Sequence, residues 1–356
     1  MSDHKRKILI LFGGTSPEHE VSRNSAACVV DNIDRDIFDV RVIGITKETG
    51  KWLLTNATRP QMADGSWEFL EDNIPCILSP DRTVHGIVSE KGVERIDCVF
   101  PVFHGECGED GTIQGLFEIA GIPYVGADVT SSANCMDKTI TKMIVERTGI
   151  RQAKYYATDR FTFSRNALGI IDEIEKKFDG EYPLFVKPAS TGSSVGISKA
   201  KNREGLFEGI KEALALDDKV LVEETIVGRE FETAVLGNND LFVAPVGEVI
   251  SGNEFYDYEA KYSTTLQKTQ IVTDVDTAKL DEFRDAAAVV YKAMCCKGMA
   301  RVDFFYEEAT GELVFNELNT IPGFTPTSMY PQMCMAGGLE YSELITKLID
   351  LAMEEI

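Results

Sequence analysis

Apolar runs of strand length alternate with helical segments along most of the chain, and this alternation limits the possible folds more than any other feature. The runs "KILILF" at residues 7–12 and "CVFPVF" at residues 98–103 are continuous, as in parallel strands that are buried on both faces. The segment "EVSRNSAACVVDNI", which follows the first run, has the apolar spacing of a helix. Strands that alternate with helices predict an α/β fold. At 356 residues the chain is long for one core, so two or three domains are expected.

Charge and cysteine content narrow the functional classes. The net charge is −22, which argues against a nucleic-acid-binding or anionic-membrane surface and means that an anionic substrate would need a local cluster of Lys and Arg. The eight cysteines include no C-x-x-C pair, so reduced thiols are expected. The apolar runs are too short to span a bilayer, and no signal sequence follows the charged N-terminus "MSDHKRK". We therefore expect a cytoplasmic protein.

Four polar side chains lie in two apolar strands near the C-terminus. Arg301 and Asp303 are two residues apart in "ARVDFF", and Glu317 and Asn319 are two apart in "VFNELN". The segment "EATGE" between them predicts a hairpin, in which all four side chains can share one face. A solvated sheet face with a cross-strand ion pair is one interpretation. We prefer a Mg²⁺ site, because carboxylate and amide oxygens are the ligands of Mg²⁺ and the arginine can offset charge on a transferred group.

A glycine- and serine-rich loop follows the strand "YPLFVKPA". Lys187 lies at the end of this strand, and the loop "STGSSVG" that contains Ser193 and Ser194 can wrap phosphate oxygens with its amides and hydroxyls. The loop has neither the P-loop pattern nor the dinucleotide-binding pattern, so an ordinary turn is the alternative. Lys138 in "MDK" is a further candidate phosphate ligand, although most helical lysines are only solvated.

Two glycine-rich strand ends in the N-terminal part of the chain carry polar residues. Glu18 lies in "GGTSPEHEVS", and His104 begins "HGECGEDG". Each segment taken alone fits an ordinary turn or a structural histidine. Because α/β proteins bind ligands at the carboxyl ends of parallel strands, the two together favour a small-molecule site.

Two further segments are distinctive. The stretch "FYDYEAKY" at residues 255–262, with Phe255, Lys261 and Tyr262, fits an amphipathic strand, an exposed loop, or a lid that closes over a substrate and excludes water. Residues 51–95 are rich in Gly, Pro and Asp, and we expect an elaborated loop region there.

These segments together resemble the ATP-grasp ligases that join two D-amino acids, and most closely those that form D-alanyl-D-alanine. The resemblance covers nearly the whole chain in the family's order. It rests on the segments "GGTSPEHEVS", "HGECGEDGTIQGLFEIAGIPYVG", "MDK", "VKPASTGSSVG", "FYDYEAKY", "RVDFF" and "NELNTIPGFTPTSMYP".

The resemblance implies an α/β protein with the ATP-grasp fold. An N-terminal Rossmann-like parallel-sheet domain at residues 1–126 would hold the first D-alanine. Two α+β domains would grip ATP, a central one at residues 127–226 and a C-terminal one at residues 227–356 with the metal site and the lid. Family members are commonly dimers, so a homodimer is expected from the resemblance alone.

The resemblance also assigns roles to individual residues. The implied ligands of two Mg²⁺ (or Mn²⁺) ions are Asp303, Glu317 and Asn319. The implied ATP contacts are Lys138, Lys187, Ser194, Glu223, Glu224, Ile226, Glu230, Phe255 and Lys261. The implied catalytic residues are Glu18, Ser193, Tyr262, Arg301 and Gly323. The implied substrate-binding residues are His104, Ser328 and Met329.

Within these sets the family's roles are specific. Glu18 would hold the ammonium group of the first D-alanine and share hydrogen bonds with Ser193 and Tyr262. Arg301 and the Gly323 amide would form the oxyanion site. Glu223 and Glu224 would belong to the adenine-binding hinge, Glu230 would contact the ribose, and Ser328 would receive the carboxylate of the second amino acid.

The reaction implied is ATP-dependent ligation of two D-alanines through an acyl phosphate, for the synthesis of peptidoglycan precursors. Met329 suits a methyl side chain in the second substrate, and Tyr262 is the lid tyrosine that D-lactate-using relatives lack. A D-Ala–D-Ser ligase is the alternative within the class. A non-catalytic ATP-grasp module would normally have lost a metal ligand or Arg301, and a nicotinamide-dependent oxidoreductase would need a G-x-G-x-x-G turn that "GGTSPE" does not supply.

Overall fold

The structure is a computed structural model that describes residues 5–192, 195–251 and 267–354. Its strands form three sheets. The strands of the first sheet are β1 Arg6–Gly13, β2 Phe38–Ile45, β3 Trp52–Leu54, β4 Ile74–Leu78, β5 Gly86–Ser89, β6 Gly92–Arg95 and β7 Cys98–Val102. Their spatial order is β6-β5-β4-β3-β2-β1-β7. The helices of this part of the chain are α1 His19–Asn32, α2 Arg59–Asp64 and α3 Thr112–Ala120.

The second and third sheets follow in the chain. The strands of the second sheet are β8 Tyr155–Asp159, β9 Leu184–Pro188, β10 Ser198–Ala200 and β11 Lys219–Glu224. The strands of the third sheet are β12 Arg229–Leu236, β13 Phe242–Val243, β14 Gly247–Ser251, β15 Gln267–Ile271, β16 Met299–Glu307 and β17 Glu312–Asn319. The remaining helices are α4 Val129–Met136, α5 Lys138–Glu146, α6 Arg160–Lys177, α7 Arg203–Leu216, α8 Thr277–Ala293, α9 Met329–Ala336 and α10 Tyr341–Ala352. The spatial orders are β10-β9-β11-β8 and β15-β14-β12-β16-β17, with β13 paired to β12.

The first strand is apolar without alternation because both of its faces are buried. Ile8, Ile10 and Phe12 belong to one core cluster, and Leu9 and Leu11 belong to another on the opposite face of the sheet. β1 pairs in parallel with β2 and with β7, as the sequence predicts. These three parallel strands form the Rossmann-like part of the first sheet.

The end of β1 requires glycine. Gly13 has φ +94°, and a Cβ atom there would lie 2.2 Å from the carbonyl oxygen of Ile45 on the neighbouring strand. Only a residue without a side chain fits this conformation and this contact. The turn that follows carries Ser16 and Glu18 to the edge of the sheet.

The expectation of an elaborated loop region at residues 51–95 is wrong. This part of the chain forms β3 to β6, which extend the first sheet through antiparallel pairing beyond β2. Each strand is only three to five residues long, and short strands between Gly, Pro and Asp residues resemble loops in sequence. The alternating burial of β4 at Ile74, Cys76 and Leu78 is the signal that identifies it as a strand.

The segment "SSANCMDKTITKMIVERTG" contains two helices, which are separated at Asp137. The first part, α4, begins at Val129 and is capped by Asp128, whose carboxylate accepts a hydrogen bond from the Ser131 amide at 2.9 Å. Asp137 has an extended ψ of 102° and caps α5. The break allows α5 to begin directly at Lys138.

The third sheet is covered on one face by α8. Phe283 of this helix packs against Phe231 and Phe304 of the sheet, with ring centroids 5.1 and 5.6 Å away. The opposite face is therefore available for polar residues. Among the described residues, no helix has the length and apolar character needed to cross a membrane.

Candidate active site

A cavity of about 440 Å³ lies between the second and third sheets. Its walls come from α5, from β9 and β11 of the second sheet, and from β12, β16 and β17 of the third. Ten of the residues expected to act at the site line this cavity: Lys138, Lys187, Glu223, Glu224, Ile226, Glu230, Arg301, Asp303, Glu317 and Asn319.

The four polar residues of the C-terminal hairpin converge as predicted. In the antiparallel pairing of β16 with β17, Arg301 lies opposite Asn319 and Asp303 lies opposite Glu317. Arg301 donates two hydrogen bonds to Asp303, from Nε to Oδ1 at 2.8 Å and from Nη2 to Oδ2 at 2.7 Å. Asn319 Nδ2 donates to Asp303 Oδ2 at 3.0 Å. Asp303 is therefore the centre of this group, and it is 8% exposed.

A β-bulge in β17 sets the direction of Glu317. Asp303 pairs with Glu317 and Phe304 with Phe315, so Asn316 is an extra residue between the two pairs. Strict alternation would turn Glu317 to the same face as Phe315, which belongs to the core beneath α8. The extra residue breaks this alternation between Phe315 and Glu317, and Asn316 and Glu317 are both among the residues that line the cavity.

The donor set fits a hard divalent cation that is only partly coordinated by protein. Asp303, Glu317 and Asn319 offer carboxylate and amide oxygens, which Mg²⁺ prefers. Among the described residues, no group of three or more His, Cys, Asp or Glu side chains is placed to hold a metal ion. With two carboxylates and one amide, an ion here would need water or substrate phosphate oxygens to complete its coordination.

Glu232 is a charged residue of the cavity that the sequence reasoning missed. It lies on β12 opposite Asp303, and its Oε2 is 3.2 Å from Arg301 Nε. Arg301 thus lies between two carboxylates. The signal was present, because Glu230 and Glu232 are two residues apart in an apolar strand, the same pattern that marks the C-terminal hairpin.

A buried group of three charges forms the opposite wall. Glu223 pairs through Oε1 with the Lys142 ammonium, and through Oε2 with Lys187 Nζ at 2.5 Å. Burial disfavours the carboxylate, but the two lysines outweigh burial and lower the pKa of Glu223 to about 2. Burial lowers the pKa of Lys142. It acts in the same direction on Lys187, where attraction to Glu223 prevails and raises the pKa.

Lys142 was also missed by the sequence reasoning. It lies one helical turn after Lys138 on α5, and residues four apart share a face of a helix. The "MDKTITK" segment therefore directs two lysines, and not one, towards the cavity.

The chain between β11 and β12 forms one rim of the cavity. Residues 224–228 line it together with apolar side chains of the two sheets, including Phe185 and Leu221. Glu224 does not point freely into the cavity, because its Oε1 accepts a hydrogen bond from the Lys154 amide at 2.7 Å. This rim and the apolar side chains beside it form one end of the cavity.

The start of α5 meets the glycine- and serine-rich loop. Lys138 Nζ donates to the Thr191 carbonyl at 2.8 Å, and the Lys138 amide donates to the Ala189 carbonyl at 2.9 Å. Lys138 is thus held at the point where the loop begins. Five predicted site residues lie outside the described residues: Ser193, Ser194, Phe255, Lys261 and Tyr262.

Glu18 connects the edge of the first sheet to this loop. Its Oε2 lies within 2.6 Å of the position that a Cβ atom would occupy on Gly105, and within 2.9 Å of the equivalent position on Gly192. Glycine at both positions lets the two loops approach the Glu18 carboxylate, which is 9% exposed. The structure therefore brings the N-terminal candidate residue next to the loop of the second sheet.

His104 is joined to the segment after β17 through Ser25. His104 Nε2 is 3.4 Å from Ser25 Oγ, which accepts a hydrogen bond from the Phe324 amide at 3.2 Å. Gly323 precedes Phe324, so the predicted oxyanion-site glycine is close to the predicted substrate-site histidine in the fold.

Ser328 and Met329 lie apart from the cavity between the sheets. Ser328 Oγ accepts a hydrogen bond from the Thr325 amide at 3.0 Å. Met329 is 4% exposed, and its Cε packs so closely on Gly247 that a Cβ atom there would be 1.9 Å away. The side chain of Met329 belongs to the apolar core, so any effect on a second substrate would pass through its packing.

Two family models match consecutive parts of the chain. Residues 7–127 match the family model described as "D-ala D-ala ligase N-terminus", and residues 144–350 match "D-ala D-ala ligase C-terminus". Among similar proteins are D-alanine–D-alanine ligases of Acetivibrio thermocellus, 48% identical with 98% of this chain and 96% of the relative covered, and of Caldicellulosiruptor bescii, 48% identical with 99% and 96% covered.

Solved structures give the same result. The VanG D-Ala:D-Ser ligase from Enterococcus faecalis superposes with a TM-score of 0.89 at 41% identity, covering 98% of this chain and 100% of that one. The D-alanine–D-alanine ligase from Coxiella burnetii has a TM-score of 0.86 at 34% identity, with 98% and 94% covered. The Bacillus anthracis D-alanine–D-alanine ligase complexed with ATP has a TM-score of 0.72 at 26% identity, with 98% and 97% covered.

Proposed function

The chain belongs to the D-alanine–D-alanine ligase family and has the ATP-grasp fold, and from this premise we propose that it joins two D-alanines to D-alanyl-D-alanine with ATP as co-substrate. The observation that carries the proposal is the pairing of Arg301 and Asp303 with Asn319 and Glu317, on the cavity face that Lys138 and Lys187 also line. An acid-and-amide cluster opposite lysines suits a metal-bound polyphosphate.

ATP would lie across the cavity from the rim to the hairpin. The adenine would occupy the end of the cavity at residues 224–228, and Glu230 would receive the ribose hydroxyls. The triphosphate would extend towards Lys138, Lys187 and the loop with Ser194. Phe255 and Lys261 would complete the nucleotide site, as the family resemblance implies.

Asp303, Glu317 and Asn319 would hold two Mg²⁺ or Mn²⁺ ions. Such ions, when bound, neutralise charge on the phosphates and align them for transfer. The chain's own contribution is the orientation of these three side chains. The hairpin pairing and the bulge at Asn316 fix it before any ligand arrives.

The first step would join the first D-alanine to phosphate. Its ammonium group would rest on Glu18, and a carboxylate oxygen would attack the γ-phosphorus of ATP while the bond to the β–γ bridging oxygen breaks. ADP leaves, and an acyl phosphate remains. The lid around Tyr262 would exclude water, which would otherwise hydrolyse this intermediate.

The second step would form the amide bond. The amine of the second D-alanine must lose a proton to attack the acyl carbon, and the set of Ser193 and Tyr262 would favour that loss. The oxyanion of the tetrahedral intermediate would be stabilised by Arg301 and the Gly323 amide, and phosphate would then leave. Ser328 would hold the second carboxylate, and His104 would line the substrate site.

Arg301 needs a second partner if it is to serve both Asp303 and the oxyanion. Glu232 Oε2 lies 3.2 Å from Arg301 Nε. When Asp303 turns its oxygens to a metal ion, Glu232 would keep the guanidinium on the cavity face. Arg301 could then direct other N–H donors to the reacting carbonyl oxygen.

D-Serine is the second candidate for the second substrate. The similarity to a structure named as a D-Ala:D-Ser ligase, at 41% identity, favours it. By the family resemblance Met329 favours D-alanine, although its buried side chain would act through packing and not by contact. One hydroxyl is in any case discriminated by only about a hundredfold. Some use of D-serine is therefore expected.

The test is release of phosphate and dipeptide from MgATP with D-alanine, D-serine or D-lactate as second substrate. We expect D-alanine to give the highest kcat/KM. Asn319→Ala should reduce activity by roughly a hundredfold or more, because it removes a group that contacts the charged transition state. Asn316→Ala, on the same strand, is the matched control and should lose less than about tenfold.

Each remaining outcome has a meaning. A preference for D-serine would keep the ligase and overturn the argument from Met329. No phosphate release with any D-amino acid would contradict the proposed function.

We propose that the reaction takes place in the cytoplasm, where ATP is available, and that it supplies peptidoglycan precursors. We propose a homodimer on the family resemblance alone.

A further inference from the structure

The group of Lys142, Glu223 and Lys187 contains more positive than negative charge, and Lys142 has no assigned role in the reaction above. All three residues line the cavity. Lys142 is 2% exposed and Glu223 is 3% exposed. Burying two lysines with one carboxylate is unfavourable unless the extra charge has a use or a partner.

The geometry shows how the charge is divided. Glu223 gives one oxygen to each lysine, Oε1 to Lys142 and Oε2 to Lys187. Lys187 and Glu223 face the same side of their sheet. Phe185 lies directly opposite Glu223 in the pairing of β9 with β11, so these two share a face, and Lys187, two residues after Phe185, points to that face too. Without Lys142, the full charge of Glu223 would be directed at Lys187. With Lys142 present, the group retains about one positive charge at its cavity end.

Other neighbours do not replace Lys142. The Glu230 and Glu317 carboxylates also attract Lys187. Under the proposed function they would be taken up by the ribose and by metal ions. The Lys142 ammonium is bound by Glu223 Oε1 and lies 5.7 Å from the centre of the Tyr155 ring. Its effect on a nucleotide would therefore pass through Glu223.

We propose that Lys142 is a positioning residue for the nucleotide phosphates, which neutralises Glu223 and so leaves the charge of Lys187 available to the triphosphate. The inference rests on the proposed function, since it requires ATP in this cavity. It predicts that Lys142 affects the binding of ligands that carry phosphates much more than the binding of adenosine. A residue that only stabilised the fold would affect adenosine and ATP alike.

The experiment measures dissociation constants of ATP, ADP and adenosine by calorimetry for the full chain at fixed MgCl₂. Lys142→Met should weaken ATP and ADP binding by roughly tenfold, the scale of one charge–charge interaction across a partly screened distance. Adenosine binding should change less than about threefold. Lys142→Arg keeps the charge and should keep the preference for phosphates.

The matched control replaces a different lysine that lies near the same aromatic ring. Lys177 Nζ lies 5.3 Å from the centre of the Tyr155 ring, is exposed, and forms no described ion pair with Glu223. Lys177→Met makes the same change in net charge. It should leave the ratio of ADP to adenosine affinity at the wild-type value.

The double substitution isolates the mechanism. In the E223Q background the charge that Lys142 neutralises is gone, so K142M should change ADP affinity by less than about threefold there. If K142M alone fails to fold, the single variant E223Q tests the inference. The ratio of ADP affinity to adenosine affinity in E223Q must then be equal to or higher than the ratio in wild type. A ratio that falls in E223Q, or equal losses for adenosine and ADP in K142M, would overturn the inference.

Failure of the nucleotide site would look different, because wild type would then bind neither ATP nor ADP. Failure of the ligase reaction is measured separately, as the absence of phosphate release with any D-amino acid. If wild type binds ATP and K142M binds it equally well, the role of Lys142 is refuted and the proposed ligase function is unaffected.

Discussion

At the scale of single residues, the cavity is defined by charges that are paired with one another before any ligand binds. Asp303 is held by Arg301 and Asn319, and Glu223 by Lys142 and Lys187. Buried ion pairs often contribute little to the free energy of folding. Removal of one partner is nevertheless strongly destabilising, because it leaves the other charge buried without compensation. These pairings hold the side chains in place and are available for exchange with a charged ligand.

The lowered pKa of the Glu223 carboxylate makes the free energy of unfolding depend on pH. Its pKa in the folded protein, about 2, is below its ordinary value of 4.5, so it stabilises the fold above pH 4.5, and the contribution is lost as the pH falls from about 4.5 to about 2. Glu223→Gln removes this dependence. The unfolding free energies of wild type and E223Q should differ most at pH 7, by on the order of 3 kcal/mol, and converge in acid.

Denaturant unfolding at several pH values between 2 and 7 measures this difference. Glu224→Gln is the control on the neighbouring residue, which forms neither lysine pair. A difference between wild type and E223Q that stays constant with pH would refute the assigned charge on Glu223.

At the scale of elements, the position of α5 decides where two lysines enter the cavity. Asp137 caps this helix by accepting hydrogen bonds from the amides of Thr139 at 2.9 Å and Ile140 at 3.2 Å, and it pairs with Lys219. The helix begins at Lys138, so the cap fixes the first turn from which Lys138 reaches Thr191.

Removal of this cap should therefore weaken both the fold and nucleotide binding. Asp137→Ala should lower the unfolding free energy by about 1–2 kcal/mol and raise the KM for ATP by several-fold. Asp128→Ala is the matched control, because Asp128 caps α4 and its helix carries no lysine into the cavity. It should cost similar stability without the change in KM. Equal KM values in both variants would contradict the role of the cap.

Elements with a strong sequence signal were predictable, and those that depend on distant contacts were not. The continuous apolar run of β1 and the paired positions of β16 and β17 follow from local patterns, and the structure confirms them. The strands at residues 51–95 are short, and apart from β4, which shows alternating burial, they are identified by the series of antiparallel pairings that begins at β2. The bulge at Asn316 leaves no local signal, because it arises from how two strands align.

At the scale of the whole molecule, the candidate site is assembled from three sheets. Glu18 from the first sheet meets Gly192 of the second, and the Phe324 amide after the third bonds to Ser25 of the first. Ten of the residues that the sequence singled out line the cavity, because each lies in a distinctive segment. Glu232 and Lys142 were missed although each repeats a spacing that marks the site, two residues apart on a strand and four apart on a helix. Which charges they meet, Arg301 for Glu232 and Glu223 for Lys142, depends on tertiary packing that local spacing does not contain.

The net charge of the molecule adds a requirement to this assembly. At −22, the chain as a whole repels a nucleotide triphosphate, so attraction must come from within the cavity. Lys138, Lys142, Lys187, Lys199 and Arg301 all line it. Seven carboxylates line the cavity as well: Glu109, Glu223, Glu224, Glu230, Glu232, Asp303 and Glu317. The expected cations are therefore present without a net positive lining, and bound divalent cations would have to supply the remaining attraction.

The most direct test of the account is an isotope-transfer measurement with D-alanine labelled by ¹⁸O in its carboxylate. If the first D-alanine forms an acyl phosphate, one labelled oxygen must pass to each inorganic phosphate released, in step with D-alanyl-D-alanine formation. Mass spectrometry of the phosphate should therefore find one ¹⁸O per molecule. Unlabelled phosphate, or labelled phosphate without dipeptide, would contradict the account.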